Sequence, residues 1–263
     1  MSVDGRWAIV TGASSGIGRA LAYEFAKNGF NVLLTGRNEV ALAEVAAGCS
    51  KQFRIDTDVV AADLSVVDST DRLIAAITAK SRHYEILVNN AGFGIHGEFA
   101  GTAIDQELQL LNVQLAAALK LTKAVLPGMI ARRSGRILNV ASVYGFAPVP
   151  YQSVYSACKA FLVSFSASLR NELKGTGVTV TVFCPGITQS EFRNRAGISD
   201  KHKATGMTAE AAARIAYAET IGGKAVIIPG VLNRLFVVAA RILPGGLYAN
   251  VVNLINHLRG LST

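Results

Sequence analysis

Tyr155 and Lys159 lie four positions apart in the segment Val154-Tyr-Ser-Ala-Cys-Lys159. Four residues is about one helical turn, so a helix would place the Lys159 ammonium beside the Tyr155 phenol. A free phenol has a pKa near ~10, and a neighbouring cation that favours phenolate brings it closer to the operating pH of a general acid or base. Ser142 adds a hydroxyl that can hold a substrate oxygen against the phenol. The three residues predict redox chemistry at a carbonyl or alcohol.

A glycine-rich segment follows a short apolar run near the start of the chain. Residues 7–11 (Trp-Ala-Ile-Val-Thr) are typical of a strand buried on both faces, and Gly12-Ala-Ser-Ser-Gly16-Ile-Gly18 leads into a helical pattern. A glycine turn between strand and helix lets the backbone approach a pyrophosphate, which the helix N-terminus favours electrostatically. Its spacing differs from the common Gly-x-Gly-x-x-Gly fingerprint. The loop predicts a dinucleotide site of a different type.

Several motifs occur together in a characteristic order, although tyrosine and lysine at this spacing are weak evidence by themselves. They are Thr11-Gly-x-x-x-Gly-x-Gly18, Asn89-Asn-Ala-Gly92, Ser142, Tyr155-x-x-x-Lys159 and Pro185-Gly186. With this set the chain closely resembles the short-chain dehydrogenase/reductase family over about residues 5 to 228. The combination is specific even though each motif is not.

The resemblance implies a catalytic role for four residues. Tyr155 would be the proton donor or acceptor, Ser142 would orient the substrate oxygen, and Lys159 would also bind the nicotinamide ribose. Asn112, in Leu110-Leu-Asn-Val113, matches the asparagine that completes the family's proton relay through water. An asparagine inside a helix can instead simply bond neighbouring backbone, and that alternative stays open.

The resemblance also implies which residues hold the cofactor. Asp63-Leu64 match the pair that contacts adenine, and Asn89 to Gly92 would line the adenine-ribose side of the cleft. The full predicted set is Gly12, Ser14, Ser15, Gly16, Ile17, Gly18, Arg37, Asp63, Leu64, Asn90, Ala91, Gly92, Tyr155, Lys159, Pro185, Gly186, Thr188 and Ser190.

The end of the second predicted strand decides between the two nicotinamide dinucleotides. A carboxylate there would accept hydrogen bonds from the ribose 2′-hydroxyl, whereas an arginine accommodates a 2′-phosphate. Gly36 stands where NAD-preferring members of the family carry Asp, and Arg37 follows it. The sequence favours NADP(H) over NAD(H), with a solvated surface role for Arg37 as the alternative.

The 263 residues contain no linker, repeat or low-complexity tract, which favours one α/β domain. Strand-like runs alternate with helical segments and predict a Rossmann-type, doubly wound, seven-stranded parallel sheet with helices on both faces. Those runs lie around Ala8, Val32, Thr57, Ile86, Ile137, Val178 and Ala225. Such a sheet binds ligands outside the carboxyl ends of its strands, where the motifs fall.

Composition limits the class of protein further. The 26 Lys and Arg against 18 Asp and Glu give a formal charge of +8, but the basic residues are dispersed, so a nucleic-acid partner is not expected. The N-terminus enters the first strand too early for a signal peptide, and no apolar run reaches the ~20 residues of a membrane span. Cys49, Cys158 and Cys184 are interpreted as reduced core thiols, and no metal-ligand spacing surrounds His96. We expect a cytoplasmic protein without a metal.

Residues 229–263 continue past the family's usual end as a helical extension of the 1–228 domain. The first helix would place apolar residues on one face and arginines on another, a break at Pro244-Gly-Gly246 follows, and a second apolar stripe begins. The first face comprises Leu232, Leu235, Phe236, Ala239 and Ile242; the arginines are Arg234 and Arg241; the second stripe comprises Leu247, Tyr248, Val251, Val252, Ile255 and Leu258. The extension could pack on its own domain, cover the cleft, join copies in a homo-oligomer (dimer or tetramer), or contact a membrane surface.

Apolar residues near the motifs favour a hydrophobic ketone, aldehyde or alcohol as substrate, and residues 191–207 would form a mobile lid. The candidate walls are Phe93, Ile95, His96, Val143, Tyr144, Phe146 and Tyr151. The first hypothesis is an NADP(H)-dependent oxidoreductase. The alternatives are an idle NADP(H)-binding regulator and a nucleotide-sugar epimerase or dehydratase, although those enzymes usually carry Gly-x-x-Gly-x-x-Gly and a large C-terminal domain.

Overall fold

Nine strands occur in the computed structural model, which describes residues 5–80, 82–190, 192, 196, 206–243 and 245–258. They are β1 (Arg6–Thr11), β2 (Asn31–Gly36), β3 (Thr57–Ala61), β4 (His83–Asn89), β5 (Gly135–Val140), β6 (Val178–Phe183), β7 (Thr188–Gln189), β8 (Met207–Thr208) and β9 (Val226–Ile227). Seven of them form one parallel sheet in the order β3-β2-β1-β4-β5-β6-β9. The predicted sheet is confirmed.

Nine helices surround or extend the sheet in the described part of the chain. They are α1 (Gly16–Lys27), α2 (Glu39–Phe53), α3 (Val67–Ala79), α4 (Ile104–Leu111), α5 (Ala117–Ala131), α6 (Ser153–Glu172), α7 (Ala209–Ile221), α8 (Val231–Ile242) and α9 (Gly245–Leu258). A π-helical turn, Asn112–Ala116, joins α4 to α5.

Two separate cores lie on the two faces of the sheet. Alternate residues of β1 enter different cores: Ala8 and Val10 pack with α1, α2 and α7, whereas Trp7 and Ile9 pack with α3, α5 and α6. Side chains alternate between the faces of a strand, so a strand that is apolar throughout supplies both cores. The uninterrupted apolar runs of the sequence therefore encode a sheet covered on both sides.

The helix Ile104–Ala131 is long and apolar enough to cross a membrane by length and composition alone. In the fold its buried residues Leu121, Val125 and Met129 belong to one of the two sheet cores. That packing accounts for part of its apolar character, since other apolar residues of this segment, such as Ile104 and Leu108, are exposed.

Two features differ in detail from the sequence prediction. The seventh strand of the sheet has only two residues, Val226–Ile227, and β7 pairs with β8 in a small second sheet that the sequence did not predict. Most of the predicted lid, including Arg193, Arg195, Lys201 and His202, lies outside the described residues.

The extension forms the two predicted helices, but the first apolar stripe is divided between two surfaces. Phe236 and Ala239 pack inward with Tyr248 and Val252, against the main domain. Leu232, Leu235 and Ile242 are exposed instead. The buried residue of α8 is Val237, so the packed face of the helix is rotated away from the centre of the predicted stripe, and only one edge of that stripe packs inward. The predicted break at Pro244 and the side chains of Val251, Ile255 and Leu258 lie outside the described part.

Candidate active site

A cleft of about 1510 Å³ opens at the carboxyl ends of the central strands. Typical ligand pockets occupy ~300–1,000 Å³, so this one has room for a cofactor and a second molecule. All eighteen residues of the full predicted cofactor set line it, and so does Ser142, whereas Asn89 does not. Parallel strands deliver their ends to one edge of the sheet, which explains why residues so far apart in sequence meet here.

The glycine loop between β1 and α1 forms a backbone cradle. Gly12 and Gly16 have φ of +66° and +56°, a region that L side chains rarely adopt. A Cβ on Gly18 would lie 2.2 Å from the Gly12 carbonyl oxygen and 2.4 Å from Asn90 Nδ2. The tight turn places the N-terminus of α1 at the cleft, where its N–H groups and dipole favour a pyrophosphate. The loop therefore fits the dinucleotide that the sequence predicted.

Gly18→Ala should impair both folding and cofactor binding, because the new methyl group would displace backbone. Overpacking of this kind costs about 1–3 kcal/mol. Gly36→Ala is the matched control, since a Cβ there meets only ordinary contacts at 3.8–3.9 Å. Thermal unfolding and cofactor titration of both variants measure these effects. Equal unfolding temperatures and equal cofactor affinities for Gly18→Ala and Gly36→Ala would mean that the turn has room for a methyl group at position 18.

Thr11 joins the cradle to the end of β4. Its hydroxyl donates to the Val88 carbonyl oxygen and accepts from the backbone N–H of Asn90 and of Ala91, both at 2.9 Å. Asn90 Nδ2 donates back to the Thr11 carbonyl oxygen at 2.8 Å. Asn89, by contrast, points away from the cleft into the protein and donates to Asn139 Oδ1 at 2.9 Å. Its predicted place in the adenine-ribose wall is wrong, because its position on β4 directs the side chain to the buried face.

The residues that would contact the cofactor ribose and its 2′ substituent lie at the far end of the cleft. Arg37 is exposed and lines the cleft directly after β2, as predicted. A Cβ on Gly36 would lie 3.8 Å from Ser14 Oγ, so the Ser14 hydroxyl approaches the same point. The sequence interpretation missed Glu39, which begins α2 and also lines this end. One cation and one carboxylate therefore face this part of the cleft.

Three of the four predicted catalytic residues converge at the bottom of the cleft. Tyr155 and Lys159 are 7% and 4% exposed on the first turns of α6, and the Lys159 Nζ lies 5.4 Å from the centre of the Tyr155 ring. Ser142 caps the 3₁₀ turn after β5, where its Oγ accepts from the Tyr144 N–H at 3.2 Å. A Cβ on Gly145 would lie 2.7 Å from the Lys159 carbonyl oxygen. Glycine at 145 thus lets this turn lie directly against α6.

Burial controls the protonation of Tyr155. Loss of solvent raises the pKa of the phenol well above its usual value, and a hydrogen bond with Ser142 lowers it only in part. Burial is the largest influence, so the phenol is neutral at pH 7, and the predicted effect of Lys159 on the phenolate stays a prediction. A neutral phenol is the form that can donate a proton.

Lys159 is buried with its ammonium against the end of β5. Nζ donates to the Val140 carbonyl oxygen at 3.0 Å, and burial lowers the pKa of Lys159 to about 8. The ammonium therefore remains charged at pH 7, close to its titration range. Its position between the sheet and the cleft suits a cation that holds a polar group of a ligand.

Asn112 lies at the start of the π-helical turn and does not line the cleft. Its Nδ2 donates to the Ser65 carbonyl oxygen at 3.0 Å, which ties this helix to the loop after β3. Its carbonyl oxygen accepts from the Ala117 N–H five residues later. π-turns are frequent at functional sites, and participation of Asn112 in a proton relay stays a prediction.

The walls beside Tyr155 are mainly apolar and aromatic. Of the predicted wall residues, Phe93, His96, Val143 and Tyr144 line the cleft, whereas Ile95, Phe146 and Tyr151 pack behind it. The cleft also receives residues that the sequence interpretation missed: Gln152, Phe192, Val231, Leu232, Asn233 and Phe236. Four of these belong to α8, so only the tertiary placement of the extension reveals them. No group of three His, Cys, Asp or Glu able to hold a metal occurs in the described residues.

The fold and the cleft define a Rossmann-type dinucleotide-binding protein, and sequence comparison identifies its family. The sequence model of the short chain dehydrogenases matches residues 6–201, and the chain belongs to that family. An uncharacterized oxidoreductase of Staphylococcus epidermidis is 35% identical over 196 residues, covering 74% of this chain and 84% of that one. The very-long-chain 3-oxoacyl-CoA reductase of Bos taurus is 36% identical over 185 residues, covering 69% of this chain but only 59% of the relative.

Two solved structures support the same assignment. A short-chain dehydrogenase from Sphingobium yanoikuyae, in complex with NADPH, superposes with a TM-score of 0.83 at 29% identity, covering 90% of this chain and 93% of that one. A putative NAD(P)-dependent gluconate 5-dehydrogenase from Beutenbergia cavernae, with bound NADP, gives a TM-score of 0.77 at 29% identity over 86% of this chain and 96% of that one. Both structures share the fold of this chain.

Proposed function

We propose that the protein is an NADP(H)-dependent oxidoreductase that interconverts a carbonyl and an alcohol on an apolar substrate. The observation that carries this proposal is the convergence of Ser142, Tyr155 and Lys159 at the bottom of a cleft that also contains the glycine cradle. An acid/base group, an oxygen-binding hydroxyl and a dinucleotide site in one cavity are the parts that such a reaction needs.

When bound, the nicotinamide supplies or accepts the hydride. In reduction, the substrate oxygen accepts hydrogen bonds from the Ser142 and Tyr155 hydroxyls, and Tyr155 transfers its proton to that oxygen as the carbonyl becomes an alcohol. In oxidation, the same phenolic oxygen takes the proton back. Because Tyr155 is neutral in the buried site, it is ready to serve as the acid. Lys159 holds the ribose hydroxyls and stabilises the phenolate formed after proton transfer.

The Arg37 guanidinium supports the choice of NADP(H), because it lines the ribose end of the cleft and Gly36 stands where an Asp would favour NAD(H). The Glu39 carboxylate lines the same end and does not itself favour a phosphate. Bound NADPH and NADP in the Sphingobium yanoikuyae and Beutenbergia cavernae structures are consistent with it. Another relative by fold holds NAD, so a direct measurement is needed.

Arg37→Ala should weaken NADPH about ten- to a hundredfold while leaving NADH nearly unchanged, since a charged hydrogen bond is worth roughly 1.5–3 kcal/mol. Adding Gly36→Asp should then favour NADH, and a Cβ at this position meets only ordinary contacts at 3.8–3.9 Å. Dissociation constants of both cofactors decide the point. Equal losses for NADH and NADPH in Arg37→Ala would mean that Arg37 supports the loop and does not bind the phosphate.

The aromatic and aliphatic walls support an apolar substrate. Phe93, Tyr144, Phe192 and Phe236 present rings near the catalytic residues. The curated relatives include reductases of very-long-chain 3-oxoacyl-CoA, whose acyl chains are apolar. A panel of apolar ketones, 3-oxoacyl thioesters and matching alcohols, followed by nicotinamide absorbance with both cofactors, tests the proposal. Cofactor binding without turnover across the panel would favour the idle regulator.

We further propose a cytoplasmic homo-oligomer. Cys49, Cys158 and Cys184 are buried free thiols, which suits a reducing compartment. Exposed Ile104 and Leu108 on α4 offer an apolar surface for contact between copies. Sedimentation of the purified protein and its location in fractionated cells check these two statements.

A further inference from the structure

The outer face of α8 is an exposed apolar stripe. Val231, Leu235, Val238 and Ile242 recur at helical spacing and are 69%, 59%, 52% and 75% exposed. The opposite face carries the buried Val237 and packs on the main domain. The outward face of an amphipathic surface helix is normally polar. The outward face of α8 is apolar instead. We call these four residues the α8 stripe.

Other exposed apolar residues lie next to the α8 stripe. Leu243 and Leu247, which follow it, are 36% and 53% exposed. Leu232 is 81% exposed at the start of the helix, and both Val231 and Leu232 also line the cleft. The apolar surface therefore reaches from the second helix of the extension to the mouth of the active site.

A cationic edge without acidic residues runs beside the stripe. Arg234 and Arg241, two turns apart on α8, are both exposed. Arg234 Nε donates to the Ile228 carbonyl oxygen at 3.0 Å, and the Arg241 guanidinium lies 5.1 Å from the centre of the Phe146 ring, so both are held close to the helix. The sequence contains no Asp or Glu between residues 220 and 263. The charged side chains that this extension itself contributes are therefore all basic.

We propose that the α8 stripe docks the protein on an anionic lipid surface. Apolar side chains with arginines along one edge match a helix that lies in the bilayer interface, with its cations at the headgroups. Pairing of two copies through the same stripe fits less well, because it would bring the arginines together without carboxylates to neutralise them. With the α8 stripe on a membrane, the mouth of the cleft would face the lipid layer, from which an apolar substrate would enter the cleft.

Vesicle flotation of the full-length protein without substrate tests this proposal independently of the reaction. We expect binding to phosphatidylcholine vesicles that contain phosphatidylglycerol, little binding to pure phosphatidylcholine, and release as salt is raised. Leu235→Gln/Val238→Gln, which changes residues that do not line the cleft, should lower the partition coefficient at least about tenfold. Val66→Gln/Val67→Gln is the matched control, because those valines are 49% and 50% exposed elsewhere, and it should bind like wild type.

Failure of the wild-type protein to bind the anionic vesicles would overturn the proposal. A loss of oligomeric state in Leu235→Gln/Val238→Gln, with unchanged vesicle binding, would also overturn it and identify the stripe as an interface between copies. Thermal unfolding of each variant shows whether it is folded. If the double variant is not, the single variants Leu235→Gln and Ile242→Gln should each show a smaller loss of vesicle binding; wild-type binding by both would contradict the proposal.

Discussion

Tyr155→Phe is expected to remove nearly all turnover while cofactor binding remains. The phenylalanine ring keeps the packing of the tyrosine ring against Phe192, whose centre lies 5.6 Å away, and only the hydroxyl that transfers the proton is lost. General acid/base groups contribute about 10²- to 10⁴-fold, which sets the expected loss in kcat. Initial rates on any substrate accepted by wild type, together with a cofactor titration, measure the two effects separately.

Phe192→Leu is a useful control for this variant, because it changes the packing beside the phenol but keeps the hydroxyl. It should retain most of the activity that Tyr155→Phe loses. Near-normal turnover by Tyr155→Phe would assign the proton transfer to another group.

Lys159→Met should lower both turnover and cofactor affinity. The methionine fills a similar volume but removes the cation that would hold ribose hydroxyls and stabilise the phenolate. We expect kcat to fall about a hundredfold or more, in the range of acid/base contributions. Unchanged pH–rate behaviour together with unchanged cofactor affinity would reduce Lys159 to a structural residue.

The same substitution should not destabilise the protein at pH 7. Burial lowers the pKa of Lys159 from 10.5 to about 8, so below pH 8 the folded state carries a charge that is more costly there than in the unfolded chain. A shift of this size corresponds to about 3 kcal/mol, partly offset by the hydrogen bond to Val140 that methionine cannot make. As pH rises from about 8 to 10.5 the folded lysine is neutral while the unfolded one stays charged, so this cost disappears. Denaturant unfolding at pH 7 should therefore show equal or greater stability for Lys159→Met, and a loss of several kcal/mol would contradict the charge-burial cost.

The sequence was sufficient for the sheet and most of the cleft, for a physical reason. Motifs such as Gly12 to Gly18 and Asn90 to Gly92 follow directly on buried strands, and parallel strands bring their ends to one edge. Tyr155 and Lys159 are four residues apart on one helix, so one helical turn is enough to place their side chains next to each other. No long-range information was required to bring these residues together.

The remaining features depend on tertiary packing that local patterns do not encode. The sequence placed Lys159 beside Tyr155, but the protonation of both follows from how completely α6 and the turn at Ser142 exclude solvent. The periodicity of α8 identified a helix, but not that Phe236 would face Tyr144 while Leu235 met solvent. Asn89 likewise belongs to a motif, yet the register of β4 directs it into the core.

Transfer of a labelled hydride from NADPH to a ketone would demonstrate the proposed reaction. Wild-type protein would be incubated with NADPH carrying deuterium in the transferable position at C4 of the nicotinamide and with an apolar ketone from the substrate panel, and the product would be analysed by mass spectrometry. We expect an alcohol with deuterium on the former carbonyl carbon, formed in proportion to the NADPH consumed and nearly absent with Tyr155→Phe. Binding of NADPH without any labelled alcohol, across the whole panel and with deuterium in either of the two C4 positions, would contradict the proposed reaction.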